Sequence, residues 1–170
     1  MSGEFTLEGV EKFLKGLDLA NAATRRGAER GLRQAGLAVM NDAITETPMT
    51  PLDRGTLRGS ASVFVGKKRV GKGPEPSDPE AETHVENAPP PGFHGSKDEI
   101  VAIVAFNTPY AARLHEHPEF EFGHTREKRG RPPVQGTGGK YLEKPLSQNR
   151  EGYMKVVAGE IKRELDRGKG

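Results

Sequence analysis

The chain has 170 residues, a length typical of one domain with appendages. Its 26 Lys and Arg residues against 24 Asp and Glu residues leave a net charge of +2, which argues against a protein that works mainly by charge attraction to nucleic acid or to an acidic membrane. The chain contains no cysteine, so disulfide scaffolds, thiol nucleophiles and cysteine-bearing zinc sites are excluded.

Few residues are available for a core. Leu, Ile, Val and Phe supply 34 of the 170 residues, near the lower limit for a packed domain, while Gly and Pro supply 35. We therefore expect long irregular segments around a small core, with further burial found against copies of the chain or partners. The longest apolar run, Ile100–Phe106, has seven residues where a membrane span needs about twenty, and the N-terminus lacks a signal-peptide pattern, so no membrane association is expected.

The first third of the chain carries two helical patterns and one strand pattern. Apolar residues three and four apart predict a short helix over Leu7–Leu17 and a long helix over about Leu19–Glu46. The long helix must end before Pro48, because proline disfavours helical backbone before it. Apolar and polar residues then alternate over Leu57–Val65, which predicts a strand with one buried face. The apolar face predicted for the long helix comprises Leu32, Gly36, Val39 and Ala43.

Residues 67–98 are rich in proline and glycine and read as an extended arm or loop. A structureless segment of this length is uncommon unless it has a function or is disordered. We expect this arm to lie on a neighbouring subunit, or to become ordered only on assembly.

The second half predicts a central strand, a short helix and a closing helix. Ile100–Phe106 lacks polar alternation and should be covered on both faces, and a short helix follows at Pro109. A second irregular loop spans 117–140, with a brief strand expected at Phe120 and Phe122. The closing helix should start near Pro145, and its apolar stripe comprises Leu146, Tyr153, Val157, Ile161 and Leu165.

These elements predict one α+β domain over residues 1–170. A small antiparallel sheet is packed by the long N-terminal helix and the C-terminal helix, and a long Pro/Gly-rich hairpin arm joins two of its strands.

The histidines are the strongest chemical candidates in the sequence. His115, His117 and His124, with Glu116, have the side chains of a hydrolytic metal site, so a metal-dependent hydrolase is one alternative function. The familiar helical motif requires histidines four residues apart, whereas His115 and His117 are two apart. Capping, packing and interface hydrogen bonds are the competing interpretation. We expect no metal, no cofactor and no catalytic residues.

Two basic groups are candidates for contact with DNA. One lies on the long helix, where a solvated face is the favoured interpretation, and the other lies in the second loop. Neither group contains interleaved aromatic residues, so any contact should be to phosphates and independent of sequence. An accessory DNA-binding protein is therefore a second alternative. The two groups comprise Arg25, Arg26, Arg30 and Arg33 on the helix, and Arg126, Lys128, Arg129 and Arg131 in the loop.

Three short strings in order resemble a known family. TPLDRGTLRGSASV at 50–63, NTPYAARLHEH at 107–117 and GGKYLEKPL at 138–146 are together similar to the head-tail connection proteins of long-tailed bacteriophages. This gene-ten-like family includes proteins described as neck, minor capsid, tail completion or tail terminator proteins. In element order the resemblance covers about residues 30–165. The arm and the second loop are longer than the family pattern implies.

The motif residues have structural interpretations that do not depend on the resemblance. Asp53 should accept backbone amides in a turn, Gly55 should supply an unusual backbone angle, and Leu57 should begin the buried face of the strand. Pro109 and Tyr110 should set the short helix, and Tyr141 with Leu142 should anchor the last helix. The motifs also contain His115, Glu116 and Gly139.

The resemblance implies a non-enzymatic virion protein. Such a subunit would be assembled in the host cytoplasm into a homo-oligomeric ring at the head-tail junction. It would contact other neck, connector and tail-tube proteins, and DNA would pass through the ring with only transient, non-specific contact.

Overall fold

The computed structural model describes residues 5–6, 22–76, 78–83, 85–92 and 99–167. The short helix predicted over Leu7–Leu17 and the first residues of the predicted long helix lie outside this described part. The elements in chain order are β1 (Phe5–Thr6), α1 (Ala22–Thr45), α2 (Thr56–Gly59), β2 (Ala61–Val65), β3 (Lys68–Lys72), β4 (Ala102–Phe106), α3 (Ala111–Glu116), α4 (His124–Lys128), α5 (Glu143–Gln148) and α6 (Arg150–Arg167).

The strands form one antiparallel sheet in the order β1-β4-β2-β3. The central position predicted for β4 is confirmed, because β4 pairs with β1 on one side and with β2 on the other, where Val104 lies opposite Val63. Helices α1 and α6 share one hydrophobic core with this sheet. The architecture is therefore α+β, with a long N-terminal and a C-terminal helix, as predicted.

Helix α1 packs against both the sheet and α6. Its predicted apolar face is buried, and α6 contributes Tyr153, Val157 and Ile161 to the same core. Two glycines allow the helices to approach closely: a Cβ at Gly27 would lie 2.5 Å from the Cα of Ile161, and one at Gly31 would lie 2.6 Å from the Cα of Val157. Any side chain at these positions would collide with backbone.

Strand β2 is buried on both faces, which corrects the prediction of one buried face for it. Phe64 is fully buried and forms a second cluster with Val101 and Ile103 on the side away from α1. Ser62, on the same side of β2 as Phe64, is also buried. Alternation of apolar and polar residues did not predict this second buried face, because a small hydroxyl such as that of Ser62 can be buried beside a large apolar side chain such as Phe64.

The strand predicted to begin at Leu57 begins at Ala61. Thr56–Gly59 instead forms the helical turn α2, in which the Gly59 amide donates to the Gly55 carbonyl at 2.8 Å. Gly55 has a left-handed backbone with φ of 98°, which reverses the chain and favours glycine. The turn still buries Leu57, so the predicted core position is correct although the predicted element is wrong.

The proposed arm is partly sheet. Lys68–Lys72 pairs with β2 as an edge strand, so the irregular segment is shorter than 67–98. Its described residues contact their own chain: Asp78 accepts a hydrogen bond from Arg131, and the Glu86 carbonyl accepts one from Arg69 at 2.9 Å. An additional contact of the arm with a neighbouring copy stays a prediction.

The elements after Pro109 differ from the predictions at two points. The single closing helix is divided into α5 and α6 at Asn149, and the expected brief strand at Phe120 and Phe122 is not present. Phe120 instead stacks on His117 with a centroid distance of 4.7 Å, and the Arg113 guanidinium lies 5.5 Å from its ring centroid. The short helix predicted after Pro109 is confirmed as α3.

Candidate functional site

The first and second motifs meet in a surface cleft of about 320 Å³. The turn at Asp53–Gly55 and helix α2 form one wall, and Tyr110 with Leu114 forms another. Tyr110 is 41% exposed, a high value for a large aromatic side chain. Its hydroxyl is nevertheless partly desolvated, which raises its pKa. The cleft therefore presents an amphipathic aromatic residue beside an apolar wall.

Asp53 anchors the second loop instead of capping its own turn. Its carboxylate accepts a hydrogen bond from the Arg129 guanidinium, and its backbone carbonyl accepts one from Arg126 at 2.9 Å. The other carboxylate oxygen, Oδ1, is buried and has no hydrogen-bond partner among the described residues. The expected acceptance of backbone amides by Asp53 is thus wrong, because arginines far along the chain occupy the carboxylate.

Arg58 lies on α2, the helical turn that forms one wall of the cleft, and was not singled out by the sequence. Its Nε donates to the Thr50 carbonyl at 2.9 Å, while Nη2 is buried without a partner among the described residues. Burial lowers the pKa of Arg58, and the nearby Arg126 lowers it further. Arg58, Arg126 and Arg129 are therefore close together, and the Asp53 carboxylate binds Arg129.

The second and third motifs meet at His115, which is only 2% exposed. The Glu143 amide donates to His115 Nε2 at 3.4 Å, which leaves the ring proton on Nδ1, 2.9 Å from Glu116 Oε1. Burial lowers the pKa of His115, although Glu116 opposes this effect. His115 is therefore a neutral, hydrogen-bonded core residue.

Tyr141 packs at right angles to His115 and Phe106, with ring centroids 5.0 and 5.2 Å away. Its hydroxyl donates to the Ala111 carbonyl at 3.1 Å, and burial raises the pKa of Tyr141. With the buried Leu142, it fastens the start of α5 to α3. The pair therefore holds α5, the first part of the predicted closing helix, against α3.

Gly139 and Lys140 close the contact between these motifs. A Cβ at Gly139 would lie 2.7 Å from the Cα of Pro118, so glycine allows the two segments to touch. Lys140 adopts a positive φ of 55°, and its ammonium pairs with Glu116 at 2.6 Å and Glu143 at 3.0 Å. The Lys140 hydrogen bond is the main reason why the pKa of Glu116 is lowered.

The three histidines are not brought together. His117 pairs with Glu119 at 2.6 Å and is 47% exposed, and His124 is 63% exposed on α4. No group of three metal-ligating side chains occurs within the described ranges. The geometry thus gives no support to the metal-hydrolase alternative.

The basic cluster of the second loop is mostly engaged with its own chain. Arg126 donates to two carbonyls, Arg129 binds Asp53, and Arg131 pairs with the buried Asp78 at 2.8 Å. A backbone hydrogen bond from Glu80 lowers the pKa of Asp78, and Arg131 adds to the effect. Lys128 is exposed and forms no ion pair with any described residue. These arginines therefore hold the loop and arm in place instead of presenting a row of free cations.

Sequence reasoning missed Arg58, Asp78 and Lys140. Each acts through a partner distant in sequence or through an unusual backbone angle, and no local pattern reports either property. A weak signal was available only for Lys140, which directly follows Gly138 and Gly139 in a glycine-rich segment.

Searches of protein-family profiles, curated proteins and solved structures find no match for this chain. No helix in the part that the structure describes is long and apolar enough to cross a membrane.

Proposed function

We propose that the chain is a structural subunit of a phage head-tail junction, which assembles into a closed ring through which DNA passes. The observation that carries the proposal is the convergence of three motifs separated in sequence. The strings at 50–63, 107–117 and 138–146 meet around the Tyr110 cleft and His115. They carry the resemblance to phage connection proteins.

The roles of the buried motif residues support a structural function. His115, Tyr141 and Leu142 are packed in the interior, and their polar atoms bind backbone or neighbouring side chains. Tyr110 is the one large hydrophobic motif residue that is exposed among those the structure describes. Tyrosine is enriched among residues that dominate protein interfaces, because it buries a large area and keeps one polar group.

A closed ring requires each copy to present two different surfaces, so that one face meets a different face of the next copy. The Tyr110 cleft is one such surface in this proposal. Its chemistry suits a partner segment with an apolar side chain to fill the cleft and an acceptor for the tyrosine hydroxyl or the adjacent arginines. Contacts with other neck, connector and tail-tube proteins, and assembly in the host cytoplasm into a virion, belong to the same proposal.

The test is the assembly state of the purified protein, measured by native mass spectrometry and electron microscopy over a range of concentrations. We expect ring-shaped particles from the wild-type chain and their loss in Tyr110→Ala. Because Tyr110 is exposed, the variant should keep the wild-type circular dichroism spectrum and melting temperature. Leu142→Ala is less informative, since Leu142 is buried and its loss would weaken the fold.

Val156→Ala is the matched control, because Val156 is the other exposed large hydrophobic residue among those described. It lies on α6, away from the three motifs, and should leave the rings intact. A chain that stays monomeric at every concentration, or Tyr110→Ala rings indistinguishable from the wild type, would contradict the proposal.

A further inference from the structure

A basic groove lies between the first half of α1 and the edge strand β3. It has a volume of about 420 Å³, and we call it the helix groove. Its floor includes Val65 and Val70, and its cationic lining consists of Arg26, Arg30, Arg33 and Lys68. It is separate from the Tyr110 cleft and shares no lining residue with it.

The three arginines form a row. Positions 26, 30 and 33 are four and three residues apart, so their side chains share one helical face. At 1.5 Å rise per residue, the row extends for roughly 10 Å along α1. Lys68 adds a fourth cation from β3, and all four side chains belong to exposed residues.

Acidic residues only partly neutralise this row. Glu29 also lines the groove, where it pairs with Arg25 at 3.5 Å. Glu164 of α6, with a side chain only 6% exposed, binds Arg26 at 3.4 Å, Arg30, and Arg167 at 2.8 Å. Burial opposes ionisation of Glu164, but Arg30 and the other arginines still lower its pKa. One carboxylate shared by three guanidinium groups orients them and leaves a surplus of positive charge.

Arg33 and Lys68 are the available cations of the groove. Neither side chain forms a hydrogen bond or ion pair with any residue that the structure describes. In the second loop, by contrast, three of the four basic residues are bound by their own chain.

We propose that the helix groove binds the phosphodiester backbone of duplex DNA, without sequence specificity. Guanidinium groups match phosphate geometry and donate two hydrogen bonds at once. Successive phosphates of one strand rise 3.4 Å along the duplex axis, so a row of roughly 10 Å laid parallel to that axis spans the rise of about three of them. The lining has no aromatic side chain for base stacking, which favours backbone contact over base contact.

A regular strand of phosphates fits this row better than an acidic protein surface does. DNA presents equally spaced charges, so the row can bind wherever it lies along the duplex. A protein partner would have to match four cations with four separately placed carboxylates. The inference goes beyond the proposed function and does not depend on it, because the groove is complete within one copy.

The test is fluorescence anisotropy of a labelled 20-base-pair duplex, titrated with the purified full chain between 50 and 200 mM salt. Each phosphate contact contributes a slope of about −0.9 to log K against log salt, so three contacts predict a slope near −3. The variant is Arg33→Gln with Lys68→Gln, which should make the slope shallower by about 2. It should also weaken binding at 50 mM salt at least tenfold.

The matched control removes two exposed lysines elsewhere, through Lys128→Gln with Lys144→Gln. It should keep the wild-type slope to within about one unit, since neither residue lines the groove. Melting curves of both double variants should coincide with that of the wild type, because none of the four side chains is buried. Because Lys128 lies in the second loop, the control also tests the one basic residue there that forms no ion pair with any described residue.

Three outcomes would overturn the inference. They are wild-type binding that is absent at 50 mM salt or insensitive to salt, a groove variant that binds like the wild type, and a control variant that loses more affinity than the groove variant. If the groove variant changed self-association in sedimentation but not duplex binding, the groove would be a protein contact and the inference would be wrong. Ring formation is a separate measurement, so failure here leaves the Tyr110 result standing.

Discussion

The helix groove and the second loop carry similar numbers of basic residues but use them differently. In the loop, Asp53 and Asp78 bind Arg129 and Arg131, so charge is used to hold irregular chain in place. In the groove, Glu164 is shared among several arginines, and the side chains of Arg33 and Lys68 have no partner among the described residues. A basic cluster is therefore a candidate binding surface only where the carboxylates of its own chain leave some of its cations unpaired.

The same difference predicts where mutations will act. Changes at Asp53, Asp78 and the arginines of the second loop that they bind should reduce the free energy of unfolding, because these ion pairs hold the loop and arm against the fold. Changes at Arg33 or Lys68 should affect binding and leave stability unchanged.

The largest effect is expected at Tyr141, where the second loop rejoins the core. Tyr141→Ala should lower the free energy of unfolding by about 3–5 kcal/mol, because it empties a buried aromatic site and removes the hydroxyl hydrogen bond to Ala111. Tyr141→Phe keeps the ring and should lose only about 1 kcal/mol. Urea unfolding of both variants measures this, and equal losses would contradict the packing role of the ring.

Asp78→Asn should release the arm from the second loop. The substitution removes the charge that Arg131 binds, while retaining an oxygen for the Glu80 amide. We expect a lower melting temperature and faster cleavage by trypsin at the basic residues of the arm or loop. Glu75→Gln, which alters an exposed carboxylate in the same arm, should match the wild type in both measurements. Unchanged cleavage of Asp78→Asn would show that the tether is unimportant.

A smaller effect is expected from the protonation of His115. Its pKa is lowered in the folded chain, mainly by burial, so the unfolded chain binds a proton at higher pH, near the ordinary value of about 6.5. The stability associated with the neutral ring is therefore full above that value and is lost as pH falls through it. Between about pH 7.5 and 5.5, the free energy of unfolding should decline more steeply for the wild type than for His115→Gln. Identical slopes would contradict a neutral buried histidine.

The sequence predicted the elements whose burial follows a regular period. The apolar stripe of α1 is buried, the apolar run 100–106 is divided between the two hydrophobic clusters, and Tyr153, Val157 and Ile161 of α6 lie in the core as predicted. The edge strand β3 was missed because Lys68–Lys72 is largely polar and its pairing depends on β2.

The site was less predictable than the fold. The motif residues were identified, but the role of Asp53 was wrong because its partner, Arg129, is 76 residues away. Local turn chemistry cannot report a contact of that kind. The shared use of Glu164 by Arg26 and Arg30 was equally hidden, since it requires α6 to lie against α1.

The glycine contacts between α1 and α6 make the molecule unequally tolerant of change. A single methyl group at position 27 or 31 would meet main-chain atoms that cannot rotate aside, whereas a methyl at Gly152 or Gly159 would meet nothing within 4 Å. Arg26 and Arg30 are the residues that directly precede Gly27 and Gly31 in the sequence. Glu164 of α6 binds both arginines across the close contact between the two helices. Random mutagenesis should therefore recover few substitutions at Gly27 and Gly31 in folded variants. A variant that moved α1 and α6 apart would change the alignment of the Arg26 and Arg30 guanidinium groups although both arginines were still present.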